Sequence, residues 1–139
     1  MISRNKMLLP VLASSIVYIL YGLPAMASVV DDMVSQYQKQ ATVSPNADAG
    51  EKLWNEVFTH DKDPQQRSCN ICHTRNLRNN GQHVKTKKAI DPMAPSLNSD
   101  RLTDRKKIEK WLKRNCKWTL GRECTLQEKA DILVYIRSQ

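Results

Sequence analysis

The run Cys69-Asn70-Ile71-Cys72-His73 constrains this chain more than any other stretch. Two cysteines three residues apart share one face of a helical turn, and an imidazole follows at once. Cys-x-x-Cys-His is the attachment signature of c-type haem. In it the thiols bond covalently to the porphyrin vinyl groups, and the adjoining imidazole faces the iron as an axial ligand. Two plainer readings fit less well. A structural zinc site needs two further Cys or His at a second close spacing, and none is present. A thioredoxin-like pair needs a βαβ setting, and no strand-like run precedes the motif. The expected cofactor is one covalent haem c held by Cys69, Cys72 and His73.

Residues 1–27 differ in kind from the rest. Arg4 and Lys6 make a basic start, an uncharged apolar stretch runs from Met7 to Leu23, and Ala25-Met26-Ala27 has the small-x-small pattern of a cleavage site. This reads as a Sec-type export signal. A bilayer span needs about 20 apolar residues, and Pro10, Ser14, Ser15 and Pro24 weaken that alternative. The expectation is a periplasmic protein with no membrane span after cleavage. The domain plan is then 1–27 signal peptide, 28–45 short N-terminal helix and linker, and 46–139 monohaem domain.

The charge is uneven. Residues 28–63 carry three basic and seven acidic side chains, whereas 64–139 carry seventeen and seven. One acid-free basic run spans Arg67 to Lys88, and a second basic stretch spans Arg101 to Arg122. Such a face suits nucleic acid, anionic lipid or an acidic protein. No nucleic-acid recognition motif is present, and an exported haem protein does not meet nucleic acid. The basic face therefore points to an acidic redox partner, steered by charge.

The periodicity is helical throughout, giving an all-α fold without strands. Residues 29–41 place Val30, Met33, Val34, Tyr37 and Ala41 on one stripe. Ser44-Pro45 reads as N-cap and first helical position, opening a helix over 46–58 with Ala47, Gly50, Leu53, Trp54 and Val57 together. Gly50 inside it costs about 1 kcal/mol relative to Ala, which suggests a close helix crossing there. Residues 74–99 are irregular, with Asn79-Asn80-Gly81, Asp91-Pro92 and Ala94-Pro95. Thr103-Asp104 caps a helix to about Asn115. Thr125-Leu126-Gln127-Glu128 is a capping box opening the last helix, Leu126–Arg137.

Cys116 and Cys124 are the remaining thiols. In an exported protein such a leftover pair reads as a structural disulfide. Closing this short loop is worth roughly 2.6 kcal/mol on the chain-entropy relation.

Function turns on the sixth iron ligand. An electron carrier uses a second strong donor, Met or His. Met33 lies in an amphipathic stripe and reads as core, and His60 and His83 read as surface histidines. Met93 has the reach to cross the porphyrin edge. Asn115, taken alone, reads as a helix C-terminal residue.

Gly50 with Trp54, the Cys69–His73 motif, Ala94-Pro95-Ser96-Leu97 and Asp131–Ile136 together resemble class I cytochrome c. More narrowly, Glu109–Cys116, Gly121–Thr125 and Glu128–Asp131 resemble the SHP (sphaeroides haem protein) family over nearly the whole of 28–139. The resemblance implies a small class I cytochrome c fold with Asn115 as sixth ligand to ferric iron, followed at once by the Cys116–Cys124 disulfide. It also implies loss of the asparagine on reduction, binding of a diatomic ligand such as O2 or NO, and reduction by a dihaem cytochrome c. At class level it implies that the Pro95 carbonyl accepts the far imidazole proton of His73. Met93 departs from the family pattern, which has an aliphatic residue there, and stands as the alternative ligand of a plain electron carrier. A small haem enzyme acting on peroxide or nitrogen oxides is the third expectation. It lacks an identifiable distal base, so the protein is not expected to be an enzyme.

Overall fold

A computed structural model describes residues 28–60 and 63–139; the expected export signal lies outside these residues. Helix α1 spans Val29–Gln40 and α2 Ala47–Asn55. A hairpin of β1 (Phe58–His60) and β2 (Asp63–Arg67) follows, then the one-turn α3 (Asn70–His73). A two-residue ladder joins β3 (Gly81–Gln82) to β4 (Ala89–Ile90), and α4 (Arg105–Leu120) and α5 (Leu126–Arg137) close the chain.

Helix ends explain several boundaries. Ser28 and Asp31 form a reciprocal capping box on α1, as Thr125 and Glu128 do on α5. α2 is capped by Asn46, not Ser44: its Oδ1 accepts from the Asp48 and Ala49 N–H groups. Ser44 is committed elsewhere, its backbone N–H and C=O both bonded to the Gln127 amide. α2 stops at Asn55, short of the expected 58, because Phe58 pairs with Arg67 across the hairpin.

The expectation of no strands fails at the two hairpins. Both are short and polar and lack an apolar alternation, so the sequence carries no strand signal. The first hairpin has a structural task. Arg67 Nη1 donates to the Trp118 carbonyl (2.8 Å) and His60 Nε2 lies 3.0 Å from the Thr119 carbonyl. These are carbonyls that the end of α4 leaves unsatisfied. α4 therefore runs beyond Asn115 to Leu120 and ends at Gly121, whose φ of +76° is the left-handed C′ conformation. Asn115 lies inside the helix rather than at its end.

α5 is the central element. Gly50 of α2 meets it so closely that a Cβ there would stand 2.2 Å from the Asp131 carbonyl oxygen and 2.7 Å from the Tyr135 Cβ. The expected helix crossing is thus α2 on α5. Asp131, buried between them, accepts from Asn46 N–H (2.8 Å) and Gln127 Nε2 (2.7 Å). On one side of α5, Ala130 and Leu133 pack with Val30, Met33, Tyr37, Val43 and Ile108. On the other, Ile132, Tyr135 and Ile136 pack with Trp54, Leu77, Ala94 and the Cys116–Cys124 disulfide. Glu109 ties three helices together, accepting from the Tyr37 hydroxyl and from Lys129 Nζ at 2.9 Å.

Candidate haem-binding site

The second cluster borders a cavity of about 860 Å³, within the range of about 300–1,000 Å³ of small-molecule sites. Cys69, Cys72 and His73 line it together with Met93 and Asn115. The short α3 carries the motif, with Cys69 just before it and Cys72 and His73 in its turn. Ser68 Oγ donates to Asn70 Oδ1 (2.6 Å), and Asn70 Nδ2 donates to Asn55 Oδ1 (2.8 Å), so the motif is tied to the end of α2. Immediately after His73 the chain turns out at Thr74, a non-glycine residue at φ +64°, a sparsely populated conformation of the kind that clusters at functional sites. Gly81 lies so near that a Cβ would stand 2.1 Å from the Cys72 carbonyl oxygen. Only glycine fits this approach of the following segment to the motif.

Trp54 packs on His73, ring centroids 5.6 Å apart, and its Nε1 donates to the Thr74 carbonyl at 3.0 Å. Burial holds the His73 pKa down at about 4, helped by the nearby Arg101 and His83 side chains. The imidazole is thus neutral at physiological pH, the form that binds a metal. Burial also pushes the Cys69 thiol up to about 11, against a hydrogen bond with the Thr119 side chain. These residues fit a covalent haem. Two thiols and a neutral imidazole converge on one large cavity, and among the described residues the buried His73 Nδ1 has no hydrogen-bond partner.

Among the described residues, no carbonyl, that of Pro95 included, accepts from His73 Nδ1. The loop carrying Pro95 is anchored instead through Leu77, whose carbonyl accepts from both Met93 N–H (2.9 Å) and Ala94 N–H (3.0 Å). Pro95 itself lines a separate groove with Val29, Val30 and Leu102. Met93 is partly buried against the second cluster. Asn115, on α4, makes no side-chain hydrogen bond among the described residues, and its neighbour Cys116 is bridged to Cys124 with the Cα atoms 5.5 Å apart. Met33 is fully buried in the first cluster and His60 is engaged at the end of α4; neither lines the cavity.

Sequence reasoning missed two cavity residues. His83, exposed as the surface reading expected, also lines the cavity, with Nδ1 accepting from Lys85 N–H (3.3 Å) and Thr86 N–H (3.2 Å). Arg101 also lines it, braced by the Pro92 carbonyl (2.9 Å) and the Asp91 carbonyl (2.7 Å). Their only sequence signal is that basic residues recur in a segment otherwise written as turns.

A Cys-x-x-Cys-His turn on the wall of a single large cavity, under a helical shell, defines a c-type cytochrome. Residues 40–136 match a family described as a domain of unknown function (DUF1924). The chain is 39% identical over 107 residues to the cytochrome c-type protein SHP of Cereibacter sphaeroides, covering 77% of this chain and 81% of that protein. It is 34% identical over 98 residues to cytochrome c″ of Methylophilus methylotrophus, covering 69% and 66% respectively. Among solved structures it is similar to oxidised SHP, described as an oxygen-binding cytochrome c, with a TM-score of 0.71 and 35% identity over 81% of this chain and 98% of that one. Oxidised cytochrome c″ gives a TM-score of 0.70 and 29% identity over 80% and 94%. This chain belongs to the SHP/cytochrome c″ family of class I c-type cytochromes and carries covalently bound haem c. Both relatives are named as cytochromes, and neither as an enzyme.

Proposed function

We propose that this protein is a periplasmic one-electron carrier whose sixth ligand, Asn115, holds ferric iron and lets go on reduction, opening a site for a diatomic ligand such as O2 or NO. The haem supplies one-electron redox chemistry and an iron position able to take that ligand. Cys69 and Cys72 would anchor it, and His73, kept neutral by burial and steadied by Trp54, would provide the permanent nitrogen ligand. A carboxamide oxygen is a hard, neutral donor, adequate for ferric iron and poor for ferrous. Electron uptake and ligand binding are thereby coupled.

The observation carrying this reading is the state of Asn115. Its side chain lines the cavity and makes no hydrogen bond among the described residues, while its backbone lies in α4 beside a disulfide. The amide can exchange positions without moving the helix. The competing ligand, Met93, has its backbone N–H bonded to Leu77, four residues beyond His73. That places the Met93 backbone beside the segment leaving His73, whereas Asn115 comes from a different element. The oxygen-binding description of the SHP structure supports the gas-binding half of the proposal. An enzymatic reading draws no support from His83, whose Nδ1 lone pair already serves two backbone amides.

The basic surface is assigned to an acidic redox partner, a dihaem cytochrome c in keeping with the family resemblance. The deciding experiment compares wild type with Asn115→Ala and Met93→Leu. Loss of the ferric low-spin spectrum in Asn115→Ala alone is expected. If Met93→Leu alone alters the spin state, or if the wild type shows the charge-transfer band of a methionine–iron bond, the protein is a plain His/Met carrier.

A further inference from the structure

A line of aromatic rings leads from His73 to a residue outside the cavity lining. Trp54 lies 5.6 Å from the imidazole, centroid to centroid, and Tyr135 meets Trp54 edge-on at 6.1 Å. Centroids about 4.5–7 Å apart mark aromatic rings in contact. Backbone packing fixes this spacing. α2 and α5, which carry the two rings, cross at Gly50, where a Cβ would stand 2.7 Å from the Tyr135 Cβ. Trp54 Nε1 is held by the Thr74 carbonyl at 3.0 Å. Both rings are buried, and Tyr135 does not line the cavity. Its hydroxyl makes no hydrogen bond among the described residues, yet it is not sealed from water. Burial pushes the phenol's pKa up, helped by the nearby Glu51 carboxylate. The line therefore ends in a phenol that meets water next to an exposed acid.

Indole and phenol give up one electron more readily than the other aromatic side chains, and tunnelling between rings falls exponentially with distance. Contact spacing makes both steps short. Charge selects this line over the other aromatic residues. Trp111 and Trp118 each have a guanidinium 5.0 Å from the ring centroid, that of Arg114 and Arg67 respectively. A fixed cation opposes the positive charge that oxidation creates. Among the described residues no cation stands over Trp54, and Tyr135 has a carboxylate for a neighbour. Tyr37 packs in the cluster on the opposite side of α5, with Lys129 Nζ 5.7 Å from its ring centroid.

We propose that Trp54 and Tyr135 form an oxidation relay, in which the Tyr135 phenol passes one electron through Trp54 and His73 to the haem when the ferrous protein meets peroxide. The inference rests on the open ferrous site proposed above and adds an activity to it, the discharge of one peroxide by one reduced protein. A site that binds dioxygen meets hydrogen peroxide, the two-electron reduction product of that ligand. The step balances. Hydrogen peroxide takes up two electrons and two protons, its O–O bond breaks, and two waters form. One electron comes from the ferrous haem, which ends ferric, and the other from Tyr135. The phenol releases its proton to water beside Glu51, and solvent supplies the second proton. The oxidising equivalent thereby ends at the surface of α5 rather than on the porphyrin.

The test uses the ferrous holoprotein, freed of excess reductant, mixed without oxygen with an equimolar amount of hydrogen peroxide and freeze-quenched for electron paramagnetic resonance. Wild type is expected to give ferric haem together with a tyrosyl radical. Tyr135→Phe, which removes a hydroxyl without a hydrogen-bond partner among the described residues, is expected to lose the tyrosyl signal. Tyr37→Phe is expected to keep it. Trp54→Phe leaves a ring in place but one much harder to oxidise, so the tyrosyl yield should collapse while haem bleaching by peroxide rises. An unchanged ferric absorption spectrum before reduction shows that each variant is folded. Ferrous wild type that fails to bind carbon monoxide overturns the open-site reading and the relay with it. Wild type that binds carbon monoxide and consumes peroxide but forms no tyrosyl radical overturns the relay alone. So does a signal that survives Tyr135→Phe, or one undiminished in Trp54→Phe.

Discussion

The two sides of α5 are built differently. Toward α1 the packing is tight: Val30, Met33 and Leu133 are at most 1% exposed, and the cluster is held across three helices by Glu109. Toward α2 and α4 the packing borders the cavity. Trp54, Leu77 and Ile132 are buried there, but Met93 and Leu120 at the margin are only partly so. α5 serves both, which is why apolar residues surround it rather than forming one stripe. The first side is mostly a scaffold of protein atoms, reaching the cavity through Ile108 and Leu133. The second borders the cavity that would hold the haem.

The contrast can be broken first where the two sides meet. Gly50→Ala forces a Cβ against the Asp131 carbonyl, a backbone atom that cannot swing away. A loss of about 3 kcal/mol or more is expected, at or above the upper end of overpacking costs, and urea unfolding of the holoprotein measures it. Met33→Ala and Leu77→Ala sharpen the comparison. Each removes a fully buried side chain and should cost about 3 kcal/mol. Only Leu77→Ala, whose neighbours line the cavity, should also disturb the haem absorption spectrum; an equal disturbance in Met33→Ala would erase the distinction.

Smaller effects follow. Replacing Cys116 and Cys124 together by Ser should cost roughly 2.6 kcal/mol on the chain-entropy relation and loosen the helix turn that carries Asn115, measurable as faster hydrogen exchange in 113–120. The smallest concerns pH. Burial pushes the Glu109 carboxyl up, but hydrogen bonds from Tyr37 and Lys129 outweigh it and hold the group below 4.5. A depressed folded-state pKa contributes stability that is present above 4.5 and lost as pH falls through the lower folded value. Glu109→Gln should therefore be less stable than wild type at neutral pH, by under about 1 kcal/mol for so accessible a carboxylate. The difference should shrink toward acid pH in parallel thermal melts.

The scaffold was the more legible side. The capping box at Thr125, the 3.6-residue stripe of α1 and the odd glycine at position 50 are local signals, and local physics decides helices. Haem attachment was legible because its chemistry demands contiguous residues. What escaped is non-local. Ser44 lost the cap of α2 to Asn46 because Gln127, 83 residues away, takes its backbone. α4 outran Asn115 because His60 and Arg67 arrive from a hairpin to cover its final carbonyls. His83 and Arg101 reach the cavity through turns whose direction no periodicity encodes. Asn115 had no local signature of its own; only the resemblance of the surrounding block singled it out.

One measurement bears most directly on the labile-ligand proposal: the coordination and spin state of the iron, read by resonance Raman spectroscopy in the ferric and then the ferrous wild-type protein. Six-coordinate low-spin iron turning five-coordinate high-spin on reduction, and binding carbon monoxide rapidly, is the predicted result. Six-coordinate low-spin iron in both oxidation states, unmoved by added gas, would contradict it.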